Sequence, residues 1–89
     1  QTTIHNKQIL RNAILLGAQG IIIAHNHPTD DPRPSKADVL STKSLEKSCA
    51  ALELTLLDHI IIANSSYYSF QEEKVSKYNK AVLNALAAT

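Results

Sequence analysis

An unbroken β-branched run that ends in two histidines constrains this chain most. Gly20-Ile21-Ile22-Ile23-Ala24 leads straight into His25-Asn26-His27. Four or five such apolar residues in a row read as a strand buried on both faces, in a sheet that helices cover. If the backbone stays extended past Ala24, side chains two apart point the same way. Both imidazoles then face one side of the strand's carboxyl end and Asn26 the other, and open α/β sheets place ligand sites beyond that end.

Seven residues separate His27 from Ser35-Lys36-Ala37-Asp38. Pro28, Pro32 and Pro34 stiffen this polar loop and bar regular hydrogen bonding through it. Ser35 opens a helix that runs to about Ala51. A serine N-cap with an acid three residues later is a capping box, which is the plain structural reading of Ser35 and Asp38. The helical wheel adds to it. At 100° per residue, Thr42, Leu45, Cys49 and Leu52 fall within about 40° of Asp38, while Lys36, Lys43 and Lys47 fall opposite. Leu40 sits on the lysine side, off the stripe.

Asp38 therefore heads an inward stripe, and a buried unpaired charge costs several kcal/mol or more. The histidines of the neighbouring strand are its natural partners if strand and helix pack as a βα unit. Two imidazoles and a carboxylate make a ligand set that suits zinc. Structural zinc sites close with four protein ligands, and catalytic ones use three and keep a position for water. No fourth ligand of the usual kind lies near the motif, and the only thiol is Cys49. The count favours an open, reactive metal held by His25, His27 and Asp38. The capping and ligand readings are compatible at Ser35.

AHNHPTDDPRPSKAD at positions 24–38 and LLDHIIIANSSYYSF at 56–70 resemble the JAMM (MPN-plus, JAB-type) zinc metallopeptidases, and within them the bacterial RadC branch. The resemblance extends from about Thr3 over some three-quarters of the chain. It implies an α/β fold of JAMM/MPN type, cytidine deaminase-like, with a mixed sheet flanked by helices. It also implies zinc held by His25, His27 and Asp38, Ser35 helping to stabilise a tetrahedral intermediate, and a glutamate on an earlier strand activating the water. The implied reaction is amide or isopeptide hydrolysis of a peptide or protein substrate. RadC-type proteins also carry a historical DNA-repair label.

Two departures from the family pattern stand out. None of the 24 residues before His25 is Glu or Asp, and Glu46, Glu53, Glu72 and Glu73 all lie downstream, where they fit solvated positions. Either the chain is a fragment lacking N-terminal strands, with the base on the missing segment, or the domain binds metal without hydrolysis. The family's usual Ser-Gly is Thr29-Asp30 here, which removes a cheap route to positive φ. Asp30 and Asp31 are spare carboxylates that either displace Asp38 or stay solvated, and solvation is the cheaper outcome.

Eighty-nine residues, 44% of them hydrophobic, make one domain spanning 1–89 with one modest core. A sheet of this size invites a partner, and a second copy is one candidate. No apolar run approaches a membrane span and no secretory signal opens the sequence. One cysteine forms no internal disulfide, so Cys49 reads as inert packing and a reducing cytoplasm as the simplest home. Nine basic against eight acidic residues give no strong electrostatic footprint for DNA. The rows Lys36/Lys43/Lys47 and Lys74/Lys77/Lys80 are explained by solvated helix faces. The literal His-Asn-His is not an HNH nuclease site either, because that label describes residues dispersed over a ββα unit.

The rest of the chain reads as follows. A first helix spans about Asn6 to Leu16 with the stripe Ile9, Leu10, Ala13 and Ile14, stopped by Gly17, and His5 stands at its entry in a surface or capping role. A second buried strand covers Thr55 to Ala63, parallel to the first through a right-handed crossover. Asp58 and His59 interrupt it, and His59 reads as structural or as supporting a ligand rather than as a ligand itself. Asn64-Ser65-Ser66 turns into a short strand, Tyr67 to Phe70. A last helix is expected from about Glu72 to Ala87, with Val75, Tyr78, Val82 and Leu86 on one face.

Overall fold

The computed structural model describes residues 6–78. Helix α1 (Asn6–Leu15) is followed by strand β1 (Gly20–Asn26), helix α2 (Lys36–Ala51) and strands β2 (Thr55–Ile62), β3 (Ser66–Ser69) and β4 (Lys74–Lys77). The strands form one mixed sheet in the order β1-β2-β3-β4. β1 and β2 run parallel on either side of the α2 crossover, and the two later pairs are antiparallel. This is a mixed α/β architecture of the JAB/MPN kind.

Helix ends follow local chemistry. Gly17 takes φ 67°, and Ala18 N–H donates to Ala13 C=O while Gly17 N–H donates to Ile14 C=O, which makes a Schellman stop. α2 ends with the same pair of bonds, Leu54 N–H to Cys49 C=O and Glu53 N–H to Ala50 C=O. There the left-handed residue is Glu53, at φ 59°.

One face of the sheet is covered. Ala13, Leu45, Cys49 and Leu54 form a buried cluster, against which Ile9, Leu10, Ile21, Ile23 and Leu56 pack. The expectation that β1 is buried on both faces is corrected. Ile22 is 63% exposed, and Ala24 and Asn26 share its open side. Both described helices pack against the Ile21/Ile23 face, so β1 alternates like a half-buried strand. Leu52, expected on the inward stripe of α2, is exposed because it stands at the C-cap, where the helix leaves the sheet.

A register slip decides what β2 offers this face. Ile21 pairs with Leu56 and Ile22 with Asp58, so Leu57 has no partner across the strand pair. One extra residue reverses the parity of everything after it. Leu56 faces inward and so does His59, three positions on, beside Ile23 and within reach of His25. Leu57 lies outside against Gly20, where a Cβ would come within 2.8 Å of it.

The expected last helix is also corrected over its described part. Residues 70–73 turn and Lys74–Lys77 pair with β3; residues 79–89 lie outside the described region. Asp58 holds this turn by accepting from Ser69 Oγ at 2.6 Å and Gln71 N–H at 3.0 Å, while Ser69 Oγ accepts from Glu72 N–H at 3.1 Å. These bonds pin the turn against β2, and the chain reverses there into β4.

Candidate metal centre

The site forms where the carboxyl end of β1 meets the amino end of α2. His25 Nε2 stands 3.5 Å from Asp38 Oδ1, and His27 Nε2 stands 3.0 Å from Asp38 Oδ2. One ligand atom from each of His25, His27 and Asp38 lies within 4.8 Å of the others, the one such group among the described residues. Asp38 is 4% exposed and the two histidines are half-buried.

Ser35 caps α2. Its Oγ accepts from Asp38 N–H at 3.0 Å, and Asp38 Oδ2 accepts from Ser35 N–H at 2.8 Å. The capping box and the His-His-Asp group thus share one carboxylate. Burial pushes the Asp38 carboxyl up, but the Ser35 hydrogen bonds, His27 and His25 outweigh it and hold the group below its ordinary value. Asp38 therefore meets the histidines ionised.

The His27 ring is oriented by the proline loop. Its Nδ1 lies 3.3 Å from the Asp31 main-chain carbonyl, which can only accept, so Nδ1 carries a proton. A neutral ring then has a lone pair at Nε2, facing the Asp38 carboxylate. Two acceptors that close need a cation or a proton between them, and this donor set fits a metal ion. The spare carboxylates stand elsewhere. Asp31 is exposed and clasped by the Arg33 guanidinium at 2.8 Å, which holds its pKa down at about 2. Asp30 is exposed and accepts from Asn64 Nδ2 at 2.8 Å.

Behind His25 lies His59, 1% exposed. Its Nε2 is 2.7 Å from His25 Nδ1, its Nδ1 is 2.6 Å from Thr42 Oγ1, and its ring stacks on Phe70 at 4.7 Å. Burial, then the neighbouring His25, push its pKa down to about 4. Burial likewise lowers His25, partly offset by Asp38. His59 is outside the ligand group and touches one of its members. Cys49 is buried in the apolar cluster, where burial pushes its thiol up and keeps it protonated. Two features had no usable sequence signal: the Asp31 carbonyl behind His27, and the Asp58 brace that sets Phe70 over His59. Thr42 did carry one, by its place on the stripe between Asp38 and Leu45.

The sequence profile of the RadC-like JAB domain matches residues 1–75. The chain belongs to that family. It is 51% identical over 69 residues to a UPF0758 protein of Aquifex aeolicus, which covers 78% of this chain and 30% of the relative. It is 44% identical over 75 residues to UPF0758 protein COPRO5265_1522 of Coprothermobacter proteolyticus, 84% of this chain and 32% of that one. A UPF0758 protein of Thermotoga maritima is 42% identical over 73 residues, 82% of this chain and 33% of its own. This RadC-like domain thus spans about a third of the length of the curated relatives it matches. No helix among its described residues is long and apolar enough to cross a membrane.

Proposed function

We propose that this domain holds a zinc ion through His25 Nε2, His27 Nε2 and an Asp38 oxygen, and serves hydrolysis of an amide or isopeptide bond in a peptide or protein. The convergence of three ligand atoms within 4.8 Å carries this reading, and membership of the RadC-like JAB family supports it. Three protein ligands leave a coordination position for substrate chemistry. Zinc there supplies a Lewis acid that polarises the scissile carbonyl and acidifies a water molecule.

The chain's own residues do the rest. Ser35 is tied to Asp38 through its side chain, and its hydroxyl is the group assigned to stabilise a developing oxyanion. Asp38, tied to Ser35 N–H, keeps the serine and the ion in one frame. The loop carbonyl of Asp31 fixes the His27 ring. None of the 24 residues before His25 is acidic, so those residues hold no counterpart of the glutamate that the resemblance implies as general base.

That same absence favours a second reading, a metal-binding domain that recruits a protein partner and hydrolyses nothing. Metal analysis tests the shared premise. Wild-type protein should carry about one zinc and His27→Ala far less, and equal content in both removes the zinc site. Assay of the intact protein on peptide and isopeptide substrates, with and without chelator, separates the two readings. Chelator-sensitive turnover supports the hydrolase, and zinc-loaded protein without turnover supports the binding domain.

A further inference from the structure

Proton counting links the centre of the domain to the candidate metal site. Thr42 Oγ1 lies 2.7 Å from the main-chain carbonyl of Asp38. A carbonyl only accepts, so the single hydroxyl proton is committed to it. The same oxygen lies 2.6 Å from His59 Nδ1. With no second proton to give, Oγ1 accepts, and the hydrogen sits on His59 Nδ1.

A neutral imidazole carries one N–H, so His59 Nε2 is left as an acceptor. It faces His25 Nδ1 at 2.7 Å, which must then be the donor. His25 Nε2 is left with a lone pair, and that nitrogen is the one turned toward the Asp38 carboxylate, 3.5 Å away. The opposite assignment runs the bonds backwards and ends with a proton on His25 Nε2, where no metal could be bound.

We infer that Thr42 and His59 are positioning residues, which set the tautomer of His25 so that its Nε2 presents a lone pair to the ion. Metal-bound histidines commonly donate their other N–H directly to a carbonyl or carboxylate. Here a second imidazole and a hydroxyl stand between, and the carbonyl at the far end belongs to Asp38, itself a member of the ligand group. The relay therefore starts and finishes on one residue. α2 can move relative to β1 only by breaking the hydrogen bonds that prepare His25.

Phe70 and Asp58 support the arrangement. The Phe70 ring lies nearly parallel to His59, 9° from it, and fixes the imidazole plane. The Asp58 carboxylate is turned away onto Ser69 Oγ and the N–H groups of His59 and Gln71. It does not compete with Thr42 for His59 Nδ1.

The inference rests on the zinc reading above, and the test keeps the two apart. Ring 15N spectra of the metal-free intact protein should show neutral His59 protonated at Nδ1 and His25 likewise; the Nε2–H form at His59 overturns the inference without any variant. Zinc affinity should fall roughly 10- to 100-fold in Thr42→Val and return to within a few-fold of wild type in Thr42→Ser, which restores the hydroxyl. A folded Thr42→Val with wild-type affinity overturns it, as does a Thr42→Ser as weak as the valine variant. Wild-type protein that binds no zinc overturns the metal reading instead, and the ring spectra still decide which nitrogen Thr42 keeps protonated.

Discussion

The inner stripe of α2 has two halves that solve burial differently. Leu45 and Cys49, both fully buried, meet Ala13 and Leu54 in an apolar cluster. Asp38 and Thr42, on the same stripe, are 4% and 9% exposed and meet histidines. The apolar half is stabilised by area removed from water, a non-directional effect that tolerates a change of shape if volume is kept. The polar half depends on each donor finding its acceptor, and one missing partner leaves a buried group unsatisfied. The first half can hold the domain together, and the second can hold an ion.

Crossed substitutions should separate the two. His27→Ala should remove most bound zinc while leaving the metal-free fold near wild-type stability, because the ring is half-buried and bonded to a loop carbonyl. Leu45→Ala should do the reverse. Truncating a fully buried leucine costs about 2–5 kcal/mol, read as a lower denaturation midpoint, while the folded fraction keeps its zinc affinity. A Leu45→Ala protein that stays stable but loses zinc would merge the halves into one cooperative unit and break the comparison.

Acid should find the polar half first. His59 has a folded-state pKa of about 4 against an ordinary 6.5. Between those values the unfolded chain takes up a proton that the folded chain refuses, so stability falls as pH drops through this window. The whole shift corresponds to about 3 kcal/mol. Asp38, held below its ordinary value, acts in the same direction at still lower pH. Metal-free protein followed by chemical denaturation between pH 7 and 4 should show this slope. A flat profile would mean that His59 is charged or solvated, contrary to its burial.

The apolar half was the easier to read from the sequence. The Ile9/Leu10/Ala13 stripe and the Leu45/Cys49 stripe follow a period of 3.6, the isoleucine run has the length and β-branching of a strand, and the elements they predict exist within a residue or two, although Ile14, expected on the first stripe, is exposed. The meeting of His25, His27 and Asp38 was legible for the same reason, since strand alternation and a helical wheel aim all three at one gap. What the pattern could not show was long-range. His59 turns inward only because Leu57 drops out of register, and a run of apolar residues on both sides of Asp58-His59 hides that slip. β4 was misread because Val75 and Tyr78 have helical spacing, whereas the turn before them is held by Asp58, eleven or more residues back in sequence. The open face of β1 was missed too, because an all-apolar run cannot say which side its helices will take.

The smallest effect expected concerns the way the apolar half ends. Glu53 takes φ 59° at the stop of α2, a conformation that costs an L-residue roughly 1–2 kcal/mol and glycine almost nothing. Its side chain is exposed, so little packing is lost with it. Glu53→Gly should therefore stabilise the domain by about 1 kcal/mol, less whatever extra freedom the glycine gives the unfolded chain. The midpoint of denaturation should rise and zinc affinity should stay put, because Glu53 lies beyond Leu45 and Cys49, at the far end of α2 from Asp38. A gain in stability that also altered zinc binding would show strain passing along the helix from one half to the other, and the boundary between Thr42 and Leu45 would then be a change of chemistry without a change of mechanical unit.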